Sequence, residues 1–487
     1  MARQLPRYIA LGKGGKYLQY VWEEGELHSR MQLSSDRLVS EDRSITKLEI
    51  VKSETSIQGL TLVHIRSCYN NKFLVLSSEV ENWIVAGADE PEEDRFKWSC
   101  TLFMLGGIKN VLSLFLLAGR AVYGVQIDET EKCLIGVRNS AAAELDIANL
   151  VSLPIMPRYV VFKGDNNKYL AARHILSHKR LKFNMDSPLN SQRAHHETVI
   201  LPNGNVRFRS LSYNRFWRNA GNAFIWCESN DQTAKNSDTV FQPVRLHNKG
   251  STAVALKNIG NNKYCERNTT RGPRRLKGTL RASTTVVNPQ AVLRVEEAIR
   301  QRTIYDLEFR VNDARIYDYT RFESVADSIS NWSETDTEEK EVTLTYTRIR
   351  QETFTSTMSW KIRSYLDLYG QIPLLEKGEI RLEEPFVQQR TWSKTRQTTE
   401  EISSVVTIQV PPMTKTVVTM IIGRGSIDVP FSYMQRDVLL NEKIVTNRLH
   451  DGLFTGLNTE LLDYTLEQEP LSEDDDEARP AILPSKL

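Results

Sequence analysis

Three times this chain writes Asn-Asn-Lys followed by an aromatic: "CYNNKFLVLS" at 68–77, "GDNNKYLAA" at 164–172 and "IGNNKYCER" at 259–267. Pairs of a basic residue and an aromatic fall at Lys16-Tyr17, Lys72-Phe73, Lys168-Tyr169, Arg215-Phe216 and Lys263-Tyr264. The last three are 47 and 48 residues apart, and the step from 72 to 168 is 96, two such intervals, with the stretch Gly119 to Gly124, which carries Arg120 and Tyr123, where the missing member belongs. Six units of one length, in two sets of three, must each be one supersecondary element sharing a core with its neighbours. Within a unit, "RYVVFKGDNNKYLAA" reads as a run, a Gly/Asn turn and a second run, which is a hairpin signal. Helical periodicity is nearly absent. Four short strands per unit predict two threefold barrels of the β-trefoil kind. The Asn-Asn-Lys turns the chain and the aromatic is expected to enter the barrel.

The length of 487 residues is too great for one ordinary domain. Residues 1–290 hold 40 Lys+Arg against 27 Asp+Glu, and residues 291–487 hold 23 against 34, so a basic front joins an acidic back. No Lys/Arg-rich run marks a phosphate track, which argues against nucleic acid as a partner. Cys68, Cys100, Cys133, Cys227 and Cys265 are scattered, odd in number and without a CxxC, so neither a disulfide framework nor an ordinary zinc site is expected. The first residues, "MARQLPRYIALGKGG", carry no apolar signal core. The most apolar stretch, "VLSLFLLAG" (111–119), is too short to span a bilayer as a helix and reads as a buried strand. A reducing, cytoplasmic or nucleocytoplasmic setting fits these features. Ser485-Lys486-Leu487 matches the peroxisomal address, on an acidic, Pro-bearing stretch (467–487) expected to be disordered.

The block "NNKFLVLSSEVENWIVAGADEPEEDRFKWSCTLF" (70–103) resembles the amaranthin-type agglutinins, plant lectins of two β-trefoils, and "PRYVVFKGDNNKYLAA" is similar to the start of their second trefoil. The resemblance covers roughly residues 1–285. It implies binding of galactose or N-acetylgalactosamine glycans, at a cell surface or within the cell, where the first trefoil of one subunit meets the second of its partner. A pyranose has one apolar face and a polar rim, so its site needs a stacking ring with amide and hydroxyl partners. Candidates are Tyr69, Asn70, Asn71, Asn82 and Trp83 in the first trefoil, and Asn214, Trp217, Asn222 and Trp226 in the second. Where the family has Tyr-Trp after the turn, this chain has Phe73-Leu74, which removes a hydroxyl and a large ring.

From Tyr305 the pattern changes. "NPQAVLRVEEAIRQRT" (288–303) reads as a short connecting helix, and Thr/Ser-rich alternation follows. From 354 to 372 the even positions are mostly apolar, among them Phe354, Met358, Trp360, Ile362, Leu366, Leu368 and Ile372, while the odd ones are mostly polar. A period of two held over 19 residues is long for a strand. "IPLLEKGEI" (372–380) looks like a turn with an apolar tip, and Ile380, Leu382 and Phe386 share a parity on the return. An extended amphipathic hairpin lying on a sheet satisfies this pattern; so does a segment that leaves the soluble fold to join a membrane barrel, lipid on one face and a wet lumen on the other.

Residues 302–346 and 406–434 resemble the start and end of the same module in the aerolysin family, the latter through "VTIQVPPMTK" and a later Val-Pro-Phe. The resemblance, over roughly 295–465, implies a β-pore-forming toxin that binds a receptor, assembles into rings of about seven copies and extrudes a hairpin from each. By position, 352–398 match that hairpin and Ile372, Pro373, Leu374 and Leu375 its tip; Lys377 and the Arg and Glu on the hairpin depart from it.

The expectation is an all-β chain: trefoils over 1–153 and 154–287, an elongated aerolysin-like domain over 288–466 and an acidic tail over 467–487. It would be a lectin-guided pore former of plant defence, dimeric through its lectin domains before a ring forms on a lipid membrane, and without cofactor or metal. The rival is a non-lytic glycan-binding adaptor whose third domain only oligomerises. An enzyme finds little support. "ALGKGGKYL" lacks the Ser/Thr of a phosphate loop, the His residues (His174, His178, His195, His196 among them) show no ligand set, and no carboxylate pair stands out for glycoside hydrolysis.

Overall fold

The computed structural model describes residues 5–35, 43–78, 81–107, 111–151, 156–189, 191–201, 203–250, 252–270, 273–356, 365–383 and 386–471. Its turns show why Asn-Asn-Lys recurs. In each copy the first Asn accepts a hydrogen bond from the Lys amide two residues on: Asn70 from Lys72 at 3.1 Å, Asn166 from Lys168 at 3.3 Å, Asn261 from Lys263 at 3.1 Å. The same side chains donate across to the returning strand, to the carbonyls of Ala86, Phe183 and Ala282. The second Asn is left-handed, with φ of 59° at Asn71 and 58° at Asn167 and Asn262, a conformation Asn tolerates better than other residues with a side chain.

The aromatic does not enter the barrel. A register shift falls directly after it in five hairpins, at Tyr17/Leu18, Phe73/Leu74, Tyr169/Leu170, Phe216/Trp217 and Tyr264/Cys265. Leu18, Leu74, Leu170, Trp217 and Cys265 are the residues that fill the two cores. The bulge and the period-two pleat turn the aromatic away and its neighbour inward.

Two closed barrels result. In the first, Tyr8–Lys13, Leu48–Lys52, Leu62–Ser67, Leu102–Gly106, Val111–Ala118 and Leu145–Asn149 pair in a ring, and three hairpins extend from it. The hairpins touch one another through single bridges at Arg30↔Val85, Gln32↔Cys133 and Trp83↔Ile135. The apolar run at 111 is the strand Val111–Ala118, as expected. In the second barrel, Tyr159–Lys163 pairs with both His196–Ile200 and Leu293–Glu297, and three hairpins again extend from a six-strand ring. Both are β-trefoils. The connecting helix expected over 288–303 is absent. Asn288 caps one 3₁₀ turn, Pro289–Ala291, and Leu293–Glu297 then closes the barrel beyond the boundary placed at 287. Leu293 and Val295 are both fully buried, a spacing of two that belongs to a strand.

The third domain is built on very long antiparallel strands. Thr414–Leu439 has 26 residues and Ile444–Pro470 has 27, a span of roughly 90 Å for the longer one. Arg315–Asn331 flanks Thr414–Leu439 on one side, and Glu338–Ser356 with Arg396–Val410 extends the sheet on the other. Residues 467–470, expected in a disordered tail, continue the last strand opposite Thr414–Val417; 472–487, with Ser485-Lys486-Leu487, lie outside the described residues. Among the described residues no α-helix occurs, and no helix is long and apolar enough to cross a membrane, which says nothing of a β-barrel. All five cysteines are free.

The three bodies touch. Leu439 and Leu440, at the base of the third domain, pack on Tyr159, Val161, Ala194 and Ala298. Beside them the buried Arg302 guanidinium is held between Asp437 (2.7 and 3.0 Å) and Glu297 (3.0 and 3.2 Å). Ile200 of the second trefoil packs against Ala10 and Leu150 of the first.

Candidate functional site

The residues expected to hold a sugar in the first trefoil are mostly unable to do so. Asn70 is fully buried and spends its amide on the turn; Phe73 and Leu74 are buried. Tyr69 is 3% exposed and stacks on Tyr20 with ring centroids 4.7 Å apart. Asn71 donates its amide to Asp428 of the third domain at 3.0 Å. Asn82 and Trp83 sit at the opposite end of the same hairpin, half-buried, with the Arg30 guanidinium 4.0 Å over the Trp83 ring.

What Asn71 and the far end of the first hairpin, Lys16–Tyr20 with Met31–Ser35, meet is the third domain. Asp313, buried, accepts from the Tyr20 hydroxyl and from His28 Nε2 at 2.7 Å. Trp22 stacks on His450 at 4.6 Å, and His450 Nδ1 bonds Ser432 Oγ at 2.7 Å. The acidic segment 89–94 belongs to this junction: the Asp89 carbonyl accepts from Arg315, and Glu90 accepts from the Asp318 amide at 3.0 Å. Glu93 instead ties the segment down. Burial alone would raise its pKa, but hydrogen bonds from Thr55, the Glu54 amide, His64 and Ser53 outweigh that and hold it at about 2. Nothing in the sequence pairs Tyr20, Trp22 and His28 with residues some 285 or more positions away, so this junction was illegible before folding.

In the second trefoil Trp217 is fully buried and its indole N–H donates to His196 Nδ1 at 3.2 Å, so it cannot stack a ligand. Trp226 is 8% exposed, covered by His178 at 3.7 Å between ring centroids and flanked by Arg180 at 5.1 Å. Both are corrections to the expectation, with different causes: the bulge after Phe216 turns Trp217 into the core, while Trp226, between the core residues Ile225 and Cys227, faces outward and is covered by His178 and Arg180. Asn214 and Asn222 are exposed, in turns at opposite ends of their hairpin. The second trefoil does hold a cavity of about 520 Å³, lined among others by Asp165, Asn167, Lys249, Val287, Pro289 and Arg294. None of these was singled out from sequence.

The proposed membrane hairpin is not one continuous strand of 19 residues. Glu338–Ser356 pairs with Arg396–Val410 up to Glu352↔Arg396. Tyr365–Gly370 then pairs with Phe386–Thr391 and lies parallel to Ile299–Phe309 at Thr303 and Ile304. Pro373–Glu376 and Glu379–Leu382 form a separate two-stranded tip. Its turn is Lys377-Gly378, with φ of 53° and 82°, a two-residue hairpin turn in which Gly fits the second left-handed position. The apolar residues therefore stand on the leg before the turn rather than in it. Met358, Trp360 and Ile362 lie outside the described residues, and Leu366, Leu368 and Phe386 are placed by backbone alone.

The tip is docked. Ile372 is fully buried, Leu375 is 2% exposed and Phe354 is 2% exposed, in one core with Ile427, Phe431 and Phe454. Pro373 is buried, Leu374 and Ile380 half-buried, and Leu382 exposed. The Asn458 side chain donates to the Leu375 carbonyl at 2.9 Å, and the Glu460 carboxylate accepts from the Lys377 amide at 2.8 and 2.9 Å. Burial raises the Glu460 pKa above the ordinary carboxylate range. Gly425 makes room: a Cβ there would stand 2.5 Å from the Leu375 side chain. Among the described residues no cluster of His, Cys, Asp or Glu could hold a metal ion.

The agglutinin-domain family profile matches residues 3–123 and 151–297, more than half of the chain. No curated protein matches it. Among solved structures, the lamprey immune protein is similar at 11% identity, covering 74% of this chain and 87% of its own, with a TM-score of 0.29. Parasporin-2, a Bacillus thuringiensis toxin that recognizes cancer cells, is 15% identical over 39% of this chain and 81% of its own (TM-score 0.21). An aerolysin-like protein of Bombina maxima is 14% identical over 34% of this chain and 99% of its own (TM-score 0.22).

Proposed function

The chain belongs to the agglutinin-domain family, and from that premise we propose that its two trefoils bind carbohydrate and deliver an aerolysin-like third domain to a membrane, where copies of the chain assemble and insert a β-hairpin. The observation that carries the pore reading is the docked tip. An apolar segment with alternating flanks is stored against a long-stranded sheet, held by Asn458, by Glu460, by the Arg350–Glu383 pair and by one small core. Such a segment can leave without unfolding either trefoil, and the alternation that buries Phe354 here would face lipid there. Carbohydrate binding supplies the membrane address, and clustering on glycans raises the effective concentration for assembly. Galactose or N-acetylgalactosamine glycans, a lectin-mediated dimer, a ring of about seven copies, a role in plant defence, a nucleocytoplasmic store and peroxisomal use of Ser485-Lys486-Leu487 are the finer parts of this proposal.

The test is dye release from vesicles carrying asialo-mucin-type glycoproteins, with and without free galactosides. Release that free sugar blocks, and that Leu368→Glu abolishes while binding persists, is expected. Equal release by Leu368→Glu sinks the hairpin assignment. Sugar-blocked binding with no release identifies a non-lytic adaptor.

A further inference from the structure

Pore formation makes no use of the cavity in the second trefoil. Three connections build it: the first hairpin turn (Gly164, Asp165, Asn167), the loop at 246–249, and the segment that leads into Leu293–Glu297. Its volume of about 520 Å³ falls in the range of small-ligand sites. Val287, Pro289 and Val292 give it an apolar wall; Asn167 and Asn248 put amides at its edge.

Its charge is unbalanced. Asp165 is neutralised by Arg267, whose Nε and a terminal nitrogen reach its two oxygens at 2.6 Å each. Arg294 and Lys249 make no ion pair or side-chain hydrogen bond with a described residue. Arg294 also stands directly opposite Lys163 in the strand pairing, and like charges so placed repel. Lys163 leans over the Tyr169 ring at 5.3 Å. The nearest acid on that strand, Glu296, takes its hydrogen bond from the Tyr169 hydroxyl at 3.0 Å. Of this opposed pair Arg294 lines the cavity, and an anion bound against it relieves the repulsion.

We propose that this cavity binds an acidic saccharide, a sugar ring bearing a carboxylate or a sulfate, with Arg294 and Lys249 on the anion, Asn167 on ring hydroxyls and the Val287–Pro289 wall against its C–H face. This rests on the carbohydrate-binding reading and narrows it. Among the described residues no aromatic side chain lines the cavity. A neutral sugar therefore finds no ring to stack on, and the ionic contact must supply the affinity; for the same reason a nucleobase finds no platform.

The experiment is titration calorimetry of the full-length chain with three disaccharides of matched core: neutral, uronic-acid-terminated and sulfated. Arg294→Gln and Lys249→Gln are run beside it. Arg294 is exposed, so melting temperature is expected to hold, and Arg294→Lys serves as the charge-conserving control. Expected is an acid preference of tenfold or more, on the order of one charged hydrogen bond. It weakens with salt, is lost in Arg294→Gln and is largely kept in Arg294→Lys. Which acidic arm binds tells carboxylate from sulfate. Neutral and acidic sugars bound alike, or an acid preference that survives both Gln variants, overturns this site and leaves carbohydrate binding standing. No sugar bound by any form overturns the carbohydrate reading itself.

Discussion

Leu375→Ala tests whether the hairpin tip is a latched element. Leu375 is 2% exposed and fills the space above Gly425, where a Cβ would clash with it at 2.5 Å. Truncating a Leu in such a site costs about 2–5 kcal/mol, because transfer energy is lost and the cavity cannot fully close. The polar holds that remain on the tip, the Asn458 and Glu460 hydrogen bonds and the Arg350–Glu383 pair, are each worth about 1–2 kcal/mol, and Ile372 and Pro373 stay buried beside them. Most of the cost therefore falls on local docking rather than on the 26- and 27-residue strands behind it. About 3 kcal/mol raises the open population roughly a hundredfold. Trypsin reports it at Lys377, in the turn, and at Arg381, on the strand that follows it. When opening is fast, cleavage tracks the open population, so cleavage at these two bonds should rise by about that factor, while melting of the trefoils stays put. Dye release should begin sooner. Unchanged tip cleavage in a variant that melts like the parent would refute the latch. A collapse of the whole domain would show instead that the tip is part of one cooperative unit.

Two further outcomes follow from buried groups. Burial, with His195 adding in the same direction, lowers the His196 pKa to about 3. The unfolded chain, with His near 6.5, therefore binds the extra proton, and stability of the second trefoil is present above about pH 6.5 and is lost as pH falls toward 3, by up to ~1.4 kcal/mol per pH unit. Thermal melts at pH 7 and pH 5 should show that trefoil shifting down, and His196→Gln should flatten the dependence; parallel curves would contradict it. At the junction, Asp313→Asn weakens the acceptor shared by Tyr20 and His28 at a cost of about 1–3 kcal/mol. It should loosen the first trefoil from the third domain, seen as a larger radius of gyration in X-ray scattering; an unchanged scattering curve would mean that the Trp22–His450 stack and the contacts of Asn71, Asp89 and Glu90 hold the junction without it.

The periodic parts of this protein were legible in its residues. Six units spaced by roughly one interval, each with a turn-forming Asn or Gly before a short apolar run, require hairpins and a shared threefold core, because no unit can bury its own apolar face. The period-two writing after Tyr305 likewise required strands rather than helices. Which residue of each repeat faces inward was not legible. One bulge after the aromatic, a tertiary accommodation of strand to barrel, exchanges Phe73 for Leu74 and Phe216 for Trp217 in the core. That single step removed Trp217 from the candidate site. The junction of Tyr20, Trp22 and His28 with Asp313 and His450, the seat of the hairpin tip on Gly425, and the pairing of Lys163 with the cavity residue Arg294 all join residues far apart in the chain. Local pattern carries turns, pleat and period, since these depend on neighbours in the chain. Sites depend on which surfaces three folded bodies bring together, and only the tertiary structure decided that.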